Sequence, residues 1–304
     1  MAGGTDTASF ADLPDELVVQ VFRHLNPAQL NSCSRVCRRW SRLFREPALW
    51  RQLYPTMWSR GLWNYTANYV GHIDQIPEED FCLELLEPVT TTSEAECLSR
   101  EQSWNKFYSG LKRSLFDHCK GYGVRVLELS ANKYLDDGQL NVLISACPNI
   151  EELYASYTQI SSGAFQVPNP GDCLKRLHKL ALSGCVLITD RTVENLVACW
   201  GAGTGEPAGL RSLSLSGCAL LTDASLEALS SCTALRAGLQ FLDLSGCGFR
   251  SGRLLRTFVH GCARLGPENL FYCCNIVTGP YRATANGCNN LDNENRACCV
   301  QYQN

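Results

Sequence analysis

The sequence predicts an α/β chain in which a small all-helical module precedes a solenoid of parallel strands. Two observations carry this. Over the first fifty positions apolar residues recur at helical spacing, interrupted by prolines. From Val124 onward a frame of short alternating strands repeats at steps of 26 to 33 residues, the mark of a solenoid. At 304 residues, 45% hydrophobic and 19% charged, the chain is long enough for a small domain joined to a larger one.

Composition narrows the function classes. A net charge of −3 gives no electrostatic reason to expect nucleic acid or an anionic membrane as partner. No apolar run approaches the roughly 18 to 20 residues of a membrane span. The start, MAGGTDTASFADLPDEL, has neither the basic residues nor the apolar core of a signal peptide. The expected compartment is therefore cytosol or nucleus. Eighteen cysteines in a reducing compartment argue against a disulfide framework. Free cysteine also behaves as a small buried hydrophobe, so position must decide what each thiol does.

The first helix runs through LPDELVVQVFRHL (13–25), with Leu17, Val18, Val21, Phe22 and Leu25 on one stripe. Pro14 suits a first turn, and Asp15 and Glu16 complement the positive end of the helix dipole. Asn26-Pro27 ends this helix. A second stripe follows through Leu30, Cys33, Val36, Cys37, Trp40 and Leu43. Pro47 interrupts before a third apolar group, Leu49, Trp50 and Leu53. By pattern alone these are three short helices too small to make a core of their own. The stretch LPDELVVQVFRHLNPAQLNSCSRVCRRWSRLFREPALW closely resembles an F-box along its length. That resemblance implies docking on a Skp-type adaptor and, through it, a cullin-RING ubiquitin ligase. It carries Leu13, Pro14, Leu17, Phe22, Leu25 and Leu30 over as adaptor contacts. Residues 1–9 read as a disordered start, 10–56 as the F-box, and 57–122 as a helical and loop connector capping the solenoid. In that connector WSRGLWNY reads as a tryptophan-anchored turn, Glu78 to Glu96 as an exposed loop, and Trp104, Phe107, Leu111 and Leu115 as a helix stripe.

The repeats occupy 123–304. VRVLELSAN, IEELYASYT, LHKLALSGC, LRSLSLSGC and LQFLDLSGC share an L-x-x-L-x-L-x-x-N/C/T frame. Each puts a strand before a ladder residue: Asn132, Thr158, Cys185, Cys218 and Cys247, at steps of 26, 27, 33 and 29. The longest step contains the glycine-rich WGAGTGEPAG. After most ladder residues comes an amphipathic helix, as in LTDASLEALSSC, with Asp223 as the expected N-cap. This is a leucine-rich-repeat solenoid of the cysteine-containing type, in which each repeat buries its apolar face only by stacking on neighbours. The helix-end cysteines Cys147, Cys199, Cys232 and Cys262 read as core, and nothing in the repeat does chemistry.

The closing stretch, about 271–300, differs. Cys273, Cys274, Cys288, Cys298 and Cys299 fall within 27 positions. Counted from Cys247, Cys273 and Cys274 lie 26 and 27 residues on, one repeat away, so a core reading is open. Against it, Arg282 and Ala285 stand where a repeat helix carries leucines, and Glu294 and Arg296 where a strand would. A ladder position also needs one cysteine, not two. Four thiolates brought together suit zinc or an iron–sulfur cluster, while adjacent pairs are awkward for one tetrahedral ion. Metal site, core cysteines and a redox disulfide all remain open on spacing alone.

ENLFYCCNIVTGPYRATANGCNNLDNENRACC and WSRGLWNY together resemble the iron-sensing F-box and leucine-rich-repeat proteins, ubiquitin-ligase receptors for iron regulatory proteins. The resemblance implies a redox-active [2Fe–2S] cluster held by Cys288, Cys298, Cys299 and one of Cys273 and Cys274. It further implies recruitment of iron regulatory protein as substrate, and a non-catalytic adaptor role in iron homeostasis. The hemerythrin-like di-iron domain usual in that family is absent here. None of the five histidines has an Asp or Glu three or four positions away. The long insertion often found between the family's repeats is also missing. Two alternatives stand beside this: an F-box receptor with structural zinc or no metal and another substrate, and an iron–sulfur redox protein.

Overall fold

The computed structural model describes residues 10–64, 94–113, 121–169, 172–201 and 209–272. The expected start at 1–9, the expected loop from Glu78 up to residue 93, Leu115, most of the glycine-rich 200–209 stretch and all five C-terminal cysteines lie outside them, while Glu94 to Glu96, expected in that loop, begin a helix.

Three short helices open the chain: α1 (Asp15–Phe22), α2 (Pro27–Ser34) and α3 (Arg38–Leu43). Asn26 both ends the first and starts the second. Its side chain accepts the Gln29 amide at 2.9 Å while the Gln29 side chain accepts the Asn26 amide at 3.0 Å, a closed capping box with Pro27 in the first turn. The stripe from Leu30 to Leu43, expected as one helix, is two. Cys37 is extended and its sulfur accepts the Trp40 amide, so the chain turns there and α3 starts afresh. The helices close over Val18, Phe22, Leu30 and Leu43, with the Trp40 ring edge-on to Phe22 at 5.4 Å. Asp15 accepts from Arg39 at 2.7 Å and pins α1 to α3.

The third apolar group is not a helix. A single 3-10 turn at Pro47–Leu49 is followed by a strand, β1 (Gln52–Leu53). Among the described residues it is the first of seven parallel strands in sequential order: β2 (Val126–Glu128), β3 (Glu152–Tyr154), β4 (Lys179–Ala181), β5 (Ser212–Ser214), β6 (Phe241–Leu244) and β7 (Leu270–Tyr272). Leu53 pairs with Leu127, and the Arg125 and Val126 amides both donate to the Arg51 carbonyl, at 2.8 and 3.0 Å. The end of the helical module is thus the edge of the solenoid. Trp50 packs on both cores and donates its indole N–H to the Phe44 carbonyl at 2.7 Å.

Strand registers advance by the same 26, 27, 33 and 29 residues as the ladder residues. One leucine of each strand forms a buried column: Leu53, Leu127, Leu153, Leu180, Leu213, Leu242 and Leu270. The ladder residues lie behind it, all buried. Their thiols donate to carbonyls of the preceding repeat: Cys185 to Ala155 at 3.0 Å, Cys218 to Leu182 at 3.2 Å, Cys247 to Leu215 at 3.1 Å. A small apolar side chain with one weak donor meets that position, which explains why cysteine recurs there. Immediately before it the backbone is left-handed in every repeat, at Ala131, Tyr157, Gly184, Gly217 and Gly246. Glycine suits three of these; a Cβ on Gly184 would meet the Tyr157 ring at 2.4 Å, so this glycine also makes room for its neighbour.

On the other side of the sheet run α6 (Asp137–Ala146), α7 (Asp190–Gly201), α8 (Asp223–Ser231) and α10 (Gly252–His260), with a short α9 (Thr233–Gly238) before β6. Asp223 is not the N-cap of α8; Thr222 is, its hydroxyl accepting the Ala224 amide. Asp223 instead reaches forward to accept the Arg250 and Ser251 amides of the next repeat, both at 3.0 Å. Asp137 does the same to Ser161 and Gly163, and Asp190 to Thr222 and Ser225. A carboxylate at the start of one helix therefore holds the entry to the following repeat. Ahead of β2 lie α4 (Pro55–Ser59) and α5 (Glu94–Arg113), which cap this end; buried Trp104 donates to Gln139 of α6 at 2.8 Å.

Because Leu53 belongs to the solenoid core, Leu53→Ala should destabilise the repeats by about 2–4 kcal/mol, read by chemical denaturation with far-ultraviolet dichroism. A loss below about 0.5 kcal/mol would mean that β1 is not part of the stack.

Candidate partner-binding surfaces

The helical module has two apolar sides. One closes on its own core: Phe22 is 1% exposed and Leu30 is 3% exposed. Both were expected as contact residues; both are instead buried among Val18 and Leu43, where they hold the three helices together. Leu13 and Leu25 are half-buried against the same cluster. The other side faces solvent. Pro14 and Leu17 are exposed, the latter by 43%, with Val21 one turn further at 44%. Val36, in the turn between α2 and α3, is exposed by 66%. Residues 17 and 21 are four apart and form a ridge on α1. Val21 and Val36 were read as stripe positions but not as contacts, since periodicity counts apolar positions without saying which side of a narrow helix meets the core.

The solenoid presents a strand face and a rim. On the face, Tyr154 donates to Glu152, and the Lys179 ammonium sits 5.1 Å from the centre of the Tyr154 ring. Phe241 and Phe271 lie 5.6 Å apart on neighbouring strands. Glu128 is buried on β2, accepting the Ser130 amide at 2.6 Å. Burial pushes its carboxyl up to about 7, against hydrogen bonds from Ser130 and the positive charge of Lys179, which favour the ionised form. On the rim, where strands turn into helices, Tyr157, Val186, Leu187 and Leu220 are exposed in three successive repeats. They flank the ladder residues Thr158, Cys185 and Cys218, a signal that was present in the repeat frame. Tyr157 holds φ of 56°, a strained conformation for an aromatic residue.

Eight of the eleven described cysteines are buried, and none of the eleven is in a disulfide. Desolvation pushes the Cys147 and Cys199 thiols up to about 12 and raises Cys185 and Cys218 as well. These thiols stay protonated and serve packing, not ligation. Among the described residues no three of His, Cys, Asp and Glu gather closely enough to hold a metal ion. Cys273, Cys274, Cys288, Cys298 and Cys299 lie outside the described residues. The register does correct one count. β7 stands 28 residues after β6, Leu270 facing Leu242, and the same step from Cys247 falls in the sequence on Asn275. By sequence count alone, the position equivalent to Asn132 is Asn275 rather than Cys273 or Cys274.

Comparison with known proteins agrees with this architecture. The F-box-like family profile matches residues 10–56. F-box/LRR-repeat protein 5 of Xenopus laevis is 30% identical over 212 residues, which is 64% of this chain and 31% of that protein. The Danio rerio protein of the same name is 30% identical over 220 residues, 67% of this chain and 32% of its own. F-box/LRR-repeat protein 12 of Bos taurus is 32% identical over 67 residues, 21% of each chain. The chain spans about a third of the length of the protein 5 relatives it matches. It is an F-box module joined to a leucine-rich-repeat solenoid.

Two outcomes follow from these surfaces. Iodoacetamide at about pH 8 should label exposed Cys37 in the folded chain and leave Cys147, Cys199 and Cys218 unmodified until denaturant is added; mass spectrometry of the peptides reads this. Glu128 is neutral in the fold up to about 7 but ionises near 4.5 when unfolded. As pH rises through that window the unfolded chain loses the proton first, so stability falls and then levels off. Glu128→Gln should remove that fall, by roughly 2–4 kcal/mol between pH 4.5 and 7.5. An unchanged pH profile of the denaturation midpoint would contradict the burial.

Proposed function

We propose that this chain is the substrate-recognition subunit of an SCF-type cullin-RING ubiquitin ligase. The observation that carries the reading is a helical module that is already fully packed yet keeps Pro14, Leu17, Val21 and Val36 in solvent. An apolar ridge with no task in its own fold is what an adaptor-docking helix offers. The exposed residues, with half-buried Leu13 and Leu25 at the margins, would meet a Skp-type adaptor, and the adaptor would meet the cullin. Because β1 is both the end of the module and the edge of the sheet, the adaptor side and the solenoid share one rigid frame. A substrate held on the solenoid is then presented in a fixed direction, which is all that a non-catalytic receptor must do. The rim from Tyr157 to Leu220 is the exposed apolar surface available for that contact.

For the substrate we propose iron regulatory protein, recruited through a [2Fe–2S] cluster on Cys288, Cys298, Cys299 and either Cys273 or Cys274. Two facts support this ligand set. The buried repeat thiols are occupied in packing and hydrogen bonds to neighbouring carbonyls, so thiolates for a metal must come from elsewhere. The repeat count also frees the first doublet from the ladder. A bound cluster would supply a redox-sensitive link between these cysteines, and metal binding and local folding share one free energy. The similarity to F-box/LRR-repeat protein 5 supports the same reading.

Leu17→Asp with Val21→Asp should weaken capture of a Skp-type adaptor at least tenfold, since each buried aliphatic side chain contributes about 1.5–3 kcal/mol, without lowering the melting temperature. Capture equal to wild type would remove the F-box assignment. Anaerobically purified chain should be brown and hold about two irons and two sulfides, and Cys288→Ser should bleach it while Cys218→Ser does not. Equimolar zinc without iron would favour a structural metal, and neither metal would favour a receptor for another substrate.

A further inference from the structure

The helical module and the first strands of the solenoid border a cavity of about 710 Å³ at their junction. Asn26, Pro27 and Trp50 line it from the module, and Gln52, Val126 and Glu151 from the sheet. Tyr54, Trp58 and Trp63 complete an aromatic wall. These rings are held in place. Trp50 donates to the Phe44 carbonyl at 2.7 Å, Tyr54 stands edge-on to Trp58 at 5.8 Å, and Trp63 packs on Phe107 at 6.3 Å.

The hydrogen-bonding groups of this wall are out of balance. Its carboxamide and carboxylate groups are engaged as acceptors. Gln52 accepts from the Tyr54 hydroxyl at 3.0 Å, and Asn64 from the Asn26 side chain at 2.8 Å. Asn26 and Gln29 accept from each other's backbone amides, and Glu151 lies 3.5 Å from half-buried Arg125. Donors are left over. Trp58 is only 6% exposed, and its buried indole N–H has no acceptor among the described residues. Arg23 and Arg51, both in the wall, form no ion pair among those residues. Leaving a buried donor unmatched is costly. A wall with spare donors and no spare acceptor suits a group that only accepts, and an ionised carboxylate is such a group. The aromatic wall suits a flat ring. The volume is that of a small-molecule site, and such sites form where two units of a chain meet. A protein segment fits less well, because its own backbone N–H groups would find no acceptor here.

We propose that the junction cavity binds a small aromatic carboxylate, its ring against the tryptophan wall and its oxygens on the spare donors of Trp58 and Arg51. The ligand braces the joint between module and solenoid, whichever substrate the chain serves.

Isothermal titration calorimetry of the full chain tests it, with naphthoate, its uncharged amide, cyclohexanecarboxylate and inorganic phosphate as titrants. Naphthoate should bind saturably at one per chain with a dissociation constant below about 1 mM, and should raise the melting temperature. The amide lacks the charge, cyclohexanecarboxylate the flat ring, and phosphate any apolar part, so each should bind at least about tenfold more weakly. Trp58→Phe keeps a ring but removes the N–H, and should weaken naphthoate binding about threefold. Arg51→Gln changes an exposed side chain and should weaken it by about the same factor. Dichroism checks the fold, and if Trp58→Phe does not fold, Arg51→Gln alone decides. No binding of naphthoate, equal binding of any of the other three, or undiminished binding by either folded variant would overturn the site.

Discussion

Two residues of parallel strand hold this molecule in one piece. Gln52 and Leu53 close the helical module and pair with Val126 and Leu127 to open the repeat sheet. With that pairing, Leu53 heads a column of seven buried leucines, and Trp50 seals the junction from both cores. A repeat cannot bury its apolar face alone, so the first repeat needs a cap, and the helical module supplies one in the form of its own last strand. The exposed α1 ridge and the solenoid inherit a fixed relation from this contact.

Beyond the junction, the repeats are held by two devices that use backbone groups left over by the sheet. Ladder thiols at Cys185, Cys218 and Cys247 donate backward to carbonyls of the preceding repeat. Carboxylates at Asp137, Asp190 and Asp223 accept forward from amides and hydroxyls of the following one. Hydrogen bonds to Ser225 and Thr222 hold the Asp190 carboxyl below its usual range although burial opposes them. Each repeat is therefore tied to both neighbours on both sides of its strand. Three of the eighteen cysteines, Cys185, Cys218 and Cys247, follow from this geometry. Counted along the sequence, the 28-residue step from Cys247 falls on Asn275, beside the first doublet.

Much of this was legible in the sequence for a physical reason. A leucine column imposes a strict spacing on every repeat, so the strand steps could be counted before any coordinates, and they match the registers. β1 was not legible, because two residues are too few to display a period and the preceding helical stripe ran into them. The break at Cys37 was hidden likewise, as a residue capping a helix through its sulfur looks like one more apolar position. Asp223 was given the wrong partner: an acid beside a threonine at a helix start serves either as cap or as bridge, and only the next repeat decides. At the candidate site, Pro14 and Leu17 were legible and Val21 and Val36 were not. α1 is apolar on its core side and on its exposed side alike, so periodicity could not assign Phe22 to one and Val21 to the other.

The most direct test of the rigid-receptor account is hydrogen–deuterium exchange of the whole chain, alone and with a Skp-type adaptor. The account predicts new protection over Leu13 to Val21 and around Val36, with exchange of strands β2 to β7 unchanged. Protection on the strands of the sheet with none on α1 would contradict it.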